Sequence, residues 1–295
     1  MSMISTATAA MRLVRVGPAG HEVPAVLDAA GRVLDAQAHV RDYDREFFAS
    51  GSMDRLRQLV ADGELPEHDG GVERFGPCVA RPEKIVCVGL NYREHAREAG
   101  MEVPTEPVLF LKAPNAMSGP DDPIYLPVGG DKTDWEIELA VIIGAQARYL
   151  ADEEAAMAVI AGYAIANDVS ERAFQLERAG QWVKGKSCET FNPLGPWVLP
   201  AADVPDVQAL RLELSVNGDR KQSGTTADMV FPVSHIVWYI SQFMVLEPGD
   251  VVNTGTPWGV GMGLEPQQFL RCGDVLELQI DGLGRQRQEV VEAPR

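Results

Sequence analysis

One stretch decides how this chain folds: Asp134-Trp135-Glu136-Ile137-Glu138-Leu139-Ala140-Val141-Ile142-Ile143-Gly144. Its second half is apolar on both faces of an extended chain, a pattern typical of a strand buried inside a core. Glu136 and Glu138 would project from the same face of such a strand, with their Cα atoms about 6.6 Å apart. An isolated Glu-x-Glu pair also arises from ordinary strand alternation, but two unpaired carboxylates are costly to bury beside a core. The stretch therefore predicts a buried strand whose carboxylates converge on one ion.

A third carboxylate, that of Asp168, could bind the same ion. Asp168 ends the strand-like run Gly162-Tyr-Ala-Ile-Ala-Asn-Asp, just before Ser170, which has the character of a helix cap. Three oxygen donors without Cys or His form the ligand set of a hard cation. Glu136, Glu138 and Asp168 thus predict a site for Mg²⁺ or Mn²⁺.

A possible general base lies in the segment Asn91-Tyr-Arg-Glu-His-Ala-Arg-Glu98, which has a helical pattern. His95 and Glu98 are three residues apart, so on a helix the carboxylate could orient the imidazole. A base built in this way could activate water. The alternative is an ordinary surface pair, because such pairs are common on helices and contribute little.

The segment Gly180-Gln-Trp-Val-Lys-Gly-Lys-Ser187 matches the phosphate-loop pattern G-x-x-x-x-G-K-[ST]. That loop needs a buried strand before it and a helix after it, whereas here a polar helical pattern precedes it and Asn192-Pro193 follows. Nucleotide binding is therefore a remote alternative. We expect Lys186 to serve as a cation near the carboxylates, with Lys112 and Arg93 as weaker candidates for local positive charge.

The remaining sequence suggests two units. Residues 1–77 predict a small N-terminal α/β domain with a flexible start and a linker rich in Gly, Glu and Pro, and residues 78–295 predict the catalytic domain. In the second unit strand-like runs outnumber helical ones and do not alternate strictly with them. This pattern predicts an α+β fold built on a large mixed sheet.

Composition limits the possible partners. The 295 residues include 26 Lys and Arg against 43 Asp and Glu, a net charge of −17, which argues against nucleic acid and anionic membranes. No apolar stretch approaches the roughly 18 to 20 residues that cross a bilayer, and the N-terminus lacks the features of a secretion signal. Four scattered cysteines indicate a reducing compartment without structural zinc. We therefore expect a cytoplasmic protein.

Taken together, these segments resemble the fumarylacetoacetate hydrolase family. The resemblance covers roughly residues 84–282 and rests on separated motifs in the family's order: Val88-Gly-Leu-Asn-Tyr with His95 and Glu98, Pro107-Val-Leu-Phe-Leu-Lys, Trp135-Glu-Ile-Glu-Leu-Ala, Asn167-Asp-Val-Ser, Gly185-Lys-Ser, Thr226-Ala-Asp-Met, and Gly249-Asp with Thr254-Gly-Thr-Pro. It implies a β-roll-like mixed sheet, a homodimer, and Mg²⁺ or Mn²⁺ held by the residues that match Glu136, Glu138 and Asp168.

The resemblance also implies roles for individual side chains. His95 and Glu98 match the family's water-activating dyad, Lys186 and Gln175 match polar groups near the substrate, and Thr256 matches a ligand-contacting threonine. Two departures leave the substrate subclass open. Glu171-Arg172-Ala173 stands where the family often has Ala-Arg-Asp, and Thr225 stands where Asn is frequent.

The implied reaction is metal-dependent hydrolysis of a C–C bond in a 2,4-dioxo acid, such as an acylpyruvate or a diketo-deoxy sugar acid. Its products would be a 2-oxo acid such as pyruvate and a carboxylic acid. The same metal site could instead serve an oxaloacetate-type decarboxylase, or an isomerase or hydratase of 2-oxo acids. A non-catalytic scaffold gives no reason to concentrate carboxylates on an apolar strand. Because both His95 and Glu98 are present, we favour hydrolysis of a small anionic diketo acid.

Overall fold

The computed structural model describes residues 11–69, 71–98 and 100–294. The predicted flexible start at residues 1–10 lies outside the described residues. Strands dominate, and both parallel and antiparallel pairs occur, so the predicted α+β fold on a large mixed sheet is confirmed. Within the described ranges, no helix has the length and apolar character needed to span a membrane.

The main sheet has ten strands within the described residues. Its strands, in the order in which neighbours are hydrogen-bonded, are β3 (Val33–Asp35), β2 (Val23–Leu27), β1 (Arg12–Val16), β12 (Asn192–Pro200), β10 (Ile160–Asn167), β9 (Ile137–Ile143), β15 (Val251–Asn253), β4 (Ile85–Gly89) and β5 (Val108–Lys112), with β6 (Met117–Ser118) beside β12. Most neighbours are antiparallel, whereas β15 with β4 and β12 with β6 are parallel.

Two smaller sheets and seven α-helices accompany the main sheet in the described residues, together with five short 3-10 helices. The second sheet has the order β14 (Asp219–Thr225), β13 (Arg211–Val216), β16 (Val275–Ile280), β17 (Gly284–Glu292) and β7 (Ile124–Leu126), and a short ladder joins β8 (Thr133–Asp134) to β11 (Ser170–Glu171). The helices are α1 (Arg45–Ala49), α2 (Ser52–Asp62), α3 (Arg93–Glu98), α4 (Glu153–Ala158), α5 (Arg172–Leu176), α6 (Val183–Lys186) and α7 (Val233–Ser241).

Strand β9 is buried on both faces, as its uninterrupted apolar sequence predicts. Leu139, Val141 and Ile143 belong to the core that faces the second sheet, whereas Ala140 and Ile142 belong to a core on the opposite face. A strand covered on both sides has no solvent face on which polar side chains can alternate. The polar residue of this strand, Glu138, therefore lies next to its start, and Glu136 immediately precedes the strand.

The N-terminal strands continue the main sheet. Strand β1 pairs antiparallel with β12, with Leu13 opposite Val198. Met11, Leu13 and Val26 share one core with Ala140 of β9. The structure therefore joins residues on both sides of position 78 in one sheet and one core, and the division into domains 1–77 and 78–295 stays a prediction.

Candidate active site

Three buried carboxylates meet where β9 starts and β10 ends. Glu138 lies in β9, while Glu136 immediately precedes the strand rather than lying within it. Because β9 and β10 are antiparallel neighbours, Asp168, which follows β10, comes opposite Glu136, and its backbone N–H donates to the Glu136 carbonyl at 2.9 Å. One carboxylate oxygen from each of the three lies within 4.8 Å of the others. We call Glu136, Glu138 and Asp168 the carboxylate triad.

Cationic side chains neutralise two members of the triad. The Lys186 ammonium donates to Glu136 Oε2 at 2.7 Å and to Asp168 Oδ2 at 2.8 Å, and the Lys112 ammonium donates to Asp168 Oδ1. The Arg172 guanidinium forms an ion pair with Glu136 Oε1 at 2.6 Å. Burial alone would raise the pKa of Glu136, but Lys186 and Arg172 outweigh it and hold the pKa well below its usual range.

The third member, Glu138, has no ion-pair partner within the described residues. Its Oε2 accepts a hydrogen bond of 2.7 Å from the backbone N–H of Gly255. Burial, together with the charges of Asp168 and Glu136, raises the pKa of this carboxyl well above its usual value. A buried carboxylate without a counter-ion, beside two others and without Cys or His, fits the donor set of Mg²⁺ or Mn²⁺.

Helix α3 carries the His95 and Glu98 pair. His95 Nδ1 and Glu98 Oε1 are 2.9 Å apart, as expected for residues three positions apart on a helix. The Glu98 carboxylate is fixed from a second side, because both of its oxygens lie within 3.1 Å of the backbone N–H of Gly259. The imidazole is therefore oriented by a carboxylate that is itself held in place.

A cavity of about 150 Å³ is lined by His95 of this pair and by Glu136 and Glu138 of the triad. Its wall includes seven charged or polar side chains, those of His95, Glu136, Glu138, Arg172, Gln175, Lys186 and Thr256. The volume is below the roughly 300 to 1,000 Å³ of pockets that bind drug-sized ligands. The cavity is therefore suited to a small acid.

Gln175 and Thr256 both line this cavity. Gln175 Oε1 accepts a hydrogen bond of 3.0 Å from the Arg172 guanidinium. Thr256 Oγ1 donates to the Ile137 carbonyl at 2.8 Å, which ties its loop to the start of β9. Their contact with a substrate stays a prediction.

The two weaker candidates for positive charge, Lys112 and Arg93, differ in where they lie relative to the triad. Lys112 is buried and contacts Asp168, but it does not line the cavity. Arg93 is exposed on the face of α3 that turns away from the buried His95, and it also lies outside the cavity wall. The structure therefore does not bring Arg93 to the site, because the helix that buries His95 directs a residue two positions earlier toward solvent.

Arg172 and Asp134 are site residues that the sequence patterns did not single out. Arg172 is buried, lines the cavity and forms ion pairs with both Glu136 and Asp134. Asp134 is fully buried and accepts hydrogen bonds from the backbone N–H groups of Gly261 at 2.6 Å and Met262 at 3.0 Å. Arg172 lies in a run with the pattern of a polar helix, and nothing in that pattern indicates that its side chain is buried. Its contact with Glu136 is therefore seen only in the folded structure.

The same segment corrects one helix prediction. Ser170 belongs to strand β11, and α5 begins at Arg172 with the Glu171 side chain accepting from the Ala173 N–H. Ser170 and Glu171 pair with Asp134 and Thr133 in the β8–β11 ladder, so they are extended and cannot form the first turn of a helix capped by Ser170.

Sequence comparison identifies the family. Residues 84–291 match the model described as the fumarylacetoacetate (FAA) hydrolase C-terminal domain. The chain belongs to the fumarylacetoacetate hydrolase family. A protein of Burkholderia cenocepacia with a general hydrolase name is 49% identical over 284 residues, which cover 96% of this chain and all of that protein.

Solved structures of this fumarylacetoacetate hydrolase fold agree with the assignment. A maleylpyruvate hydrolase from Sphingobium sp. SYK-6, in complex with manganese(II) and pyruvate, is similar with a TM-score of 0.78 and 28% identity, covering 96% of this chain and all of that one. A 2-hydroxyhepta-2,4-diene-1,7-dioate isomerase from Mycobacterium marinum is similar with a TM-score of 0.74 and 30% identity, covering 97% and 100%. These similarities support an enzyme with hydrolase or isomerase activity.

The phosphate-loop match lacks the architecture of a nucleotide site. Residues 180–187 form a turn and the short helix α6, and helix α5 rather than a strand precedes them. The Lys186 ammonium, which would contact phosphate in such a loop, is buried against Glu136 and Asp168. The segment instead delivers a lysine to the carboxylate triad.

Proposed function

We propose that this chain hydrolyses the C–C bond between the methylene carbon and the distal carbonyl carbon of an acylpyruvate, releasing pyruvate and a carboxylic acid. One observation carries the proposal. A small cavity is lined by two members of the buried carboxylate triad, Glu136 and Glu138, and by an imidazole that a fixed carboxylate orients. Such a cavity can bind a 2-oxo acid at one end and activate water at the other.

The triad is the proposed binding site for Mg²⁺ or Mn²⁺. Glu136, Glu138 and Asp168 would hold the ion, in keeping with the preference of both cations for carboxylate oxygens. Such a cation, when bound, supplies a Lewis acid and a template for the adjacent carboxylate and keto oxygens of a 2-oxo acid.

His95 is the proposed general base. An ionised carboxylate only accepts hydrogen bonds, so contact with Glu98 places the proton on Nδ1 and leaves Nε2 free to take a proton from water. Glu98 stabilises the imidazolium that results, and Gly259 keeps Glu98 in position. The water oxygen bonds to the distal carbonyl carbon, and the C–C bond then breaks as the methylene carbon gains a proton.

Lys186, Arg172 and Gln175 are the groups proposed to stabilise the negative charge that develops on the substrate. All three are buried and line the same cavity. Charge stabilisation by such groups has its greatest effect on the transition state when the side chains are shielded from water. The proposal therefore assigns binding, base catalysis and charge stabilisation to separate side chains.

The test uses acetylpyruvate as substrate and measures pyruvate release. Treatment with EDTA should abolish activity, and Mg²⁺ or Mn²⁺ should restore it. His95→Ala should lower kcat by about 10² to 10⁴, whereas Arg93→Ala, on the same helix but outside the cavity, should leave it unchanged. Activity that is indifferent to EDTA, or full activity of His95→Ala, would show that the mechanism is wrong.

A second candidate reaction is favoured by the structural similarity to an isomerase of an unsaturated dioate. Isomerisation or decarboxylation of a 2-oxo acid would use the triad without attack by water. Oxaloacetate therefore serves as the discriminating substrate. Decarboxylation that survives His95→Ala, without any hydrolysis of acetylpyruvate by the unaltered protein, would favour this second reaction.

A further inference from the structure

The cavity has a charged floor and an apolar mouth. The charged members of its wall, such as Glu136 and Lys186, are almost completely buried. Toward the opening the wall is apolar, and two of its members, Met101 and Leu176, are 48% and 46% exposed. Other apolar side chains of the cavity wall are Leu90, Phe110, Trp182 and Met262.

Two aromatic rings lie between the charged floor of the cavity and its apolar mouth. The Lys186 ammonium lies 5.0 Å from the centre of the Phe110 ring, and the Phe110 ring packs edge-on against Trp182 with their centres 5.3 Å apart. Gly89 makes room for Trp182, because an added Cβ there would lie 2.8 Å from the indole ring. The backbone thus holds an aromatic wall directly outward of the charged floor.

The cations of the cavity wall already have carboxylate partners. Arg172 forms ion pairs with Asp134 and Glu136, and Lys186 forms ion pairs with Glu136 and Asp168. The other basic side chain of the wall is His95, which Glu98 holds. Among the described residues that line the cavity, none at the mouth offers a counter-ion to a second carboxylate.

We infer that the acyl tail of the substrate is short, apolar and uncharged. The inference rests on the proposed function, since it concerns the group that is attached to the distal carbonyl. A carboxylate at the end of this tail would leave water without gaining a counter-ion, which is unfavourable. Transfer of an alkyl tail from water to this apolar wall is favourable, because it removes apolar surface from water. The cavity volume of about 150 Å³ limits the length of the tail.

The inference selects alkyl acylpyruvates over acylpyruvates with a second acid group and over diketo sugar acids with hydroxyl groups. For butanoylpyruvate, water supplies its oxygen to the butanoyl carbon while the bond to the methylene carbon breaks. The methylene carbon gains a proton, so the products are butanoic acid and pyruvate. Atoms and charge balance without an oxidant or reductant.

The first experiment compares butanoylpyruvate with succinylpyruvate in the presence of Mg²⁺. Both have seven carbons and differ in whether the tail ends in a methyl or a carboxylate. We expect kcat/KM for butanoylpyruvate to exceed that for succinylpyruvate by at least about tenfold. A kcat/KM for succinylpyruvate that equals or exceeds that for butanoylpyruvate would overturn the inference.

Two variants locate the preference in the cavity. Met101→Arg adds a cation to the mouth and should shift the ratio of the two kcat/KM values at least about tenfold toward succinylpyruvate. Leu111→Arg is the matched control, because Leu111 is 44% exposed but does not line the cavity. An unchanged ratio in Met101→Arg, or an equal shift in Leu111→Arg, would contradict the assignment of the tail to this wall.

A binding experiment separates this inference from the proposed function. 2-Oxohexanoate and 2-oxohexanedioate have equal chain length, and each is titrated with Mg²⁺ present while tryptophan fluorescence is recorded. We expect tighter binding of 2-oxohexanoate, and a signal that Trp182→Phe removes. This preference without acylpyruvate hydrolysis would support the apolar tail and reject the proposed reaction. Hydrolysis of both acylpyruvates together with equal binding of both oxo acids would reject the apolar tail and keep the reaction.

Discussion

The contact between Gly263 and Glu98 offers a precise perturbation of the proposed general base. In Gly263→Ala the new Cβ would lie 2.6 Å from the Glu98 carboxyl carbon and 2.7 Å from its Oε2. The carboxyl group must retreat by about 0.8 Å to reach the 3.4 Å of an ordinary contact. The carboxyl group is the end of a flexible side chain, so it can move while the backbone stays in place. The fold should therefore survive, whereas the orientation that Glu98 gives to His95 should be lost.

The expected magnitude follows from this displacement. A misplacement of about 1 Å can cost a factor of about 10² in rate, so we expect Gly263→Ala to lower kcat on acetylpyruvate by about 10 to 100-fold. The carboxylate triad is not involved, so the affinity for Mn²⁺, measured by isothermal titration calorimetry, should stay within about twofold of its unaltered value. Thermal unfolding should confirm that the variant is folded.

A double variant tests whether the effect passes through Glu98. Glu98→Ala removes the group that the new methyl would displace. Adding Gly263→Ala to Glu98→Ala should therefore cause no further loss of kcat, in contrast to its effect alone. A second loss of the same size in the double variant, or full activity of Gly263→Ala, would refute this account of how Glu98 is held.

Two further predictions concern the triad and the cysteines. Glu138→Ala should weaken Mn²⁺ binding by at least about 10²-fold in the same calorimetric experiment, and an unchanged affinity would remove Glu138 from the ligand set. Cys272 is exposed and should react with a thiol reagent at pH 8 in the native protein, whereas burial raises the pKa of Cys78 to about 12, so Cys78 should react only after denaturation. Peptide mapping that finds both labelled at equal rates would contradict the second prediction.

The sequence predicts most closely those elements whose pattern is set by burial. The buried strand that the stretch from Asp134 to Gly144 predicts is β9 over Ile137–Ile143, and the difference is at its start, because Glu136 precedes the strand. The dipeptides Asn217-Gly218 and Asp281-Gly282, which favour tight hairpin turns, connect antiparallel neighbours. The convergence of the triad also follows from local rules, because it needs only strand alternation and one antiparallel neighbour.

Other features depend on contacts that no local pattern carries. Strand β12 contains Pro193, Pro196 and Pro200, and prolines argue against a strand within a sheet. It is tolerated because its pairing with β1 is restricted to Leu13 opposite Val198, and its register with β10 is irregular. The bond between Gly259 and Glu98 joins residues 161 positions apart, so the anchor of the proposed base appears only in the folded chain.

The electrostatics of the site address the difficulty that an acidic protein poses for an anionic substrate. A net charge of −17 slows the approach of anions in general. Around the triad, however, Glu136 and Asp168 contact three cationic side chains, Lys112, Arg172 and Lys186. These three positive charges offset most of the negative charge of the triad and of Asp134, which also pairs with Arg172. A divalent cation at the triad would then make this part of the floor positive, while the apolar mouth adds no charge of either sign. The attraction for a substrate would therefore be concentrated at the floor, which favours a ligand with its acid group at one end and an uncharged tail at the other.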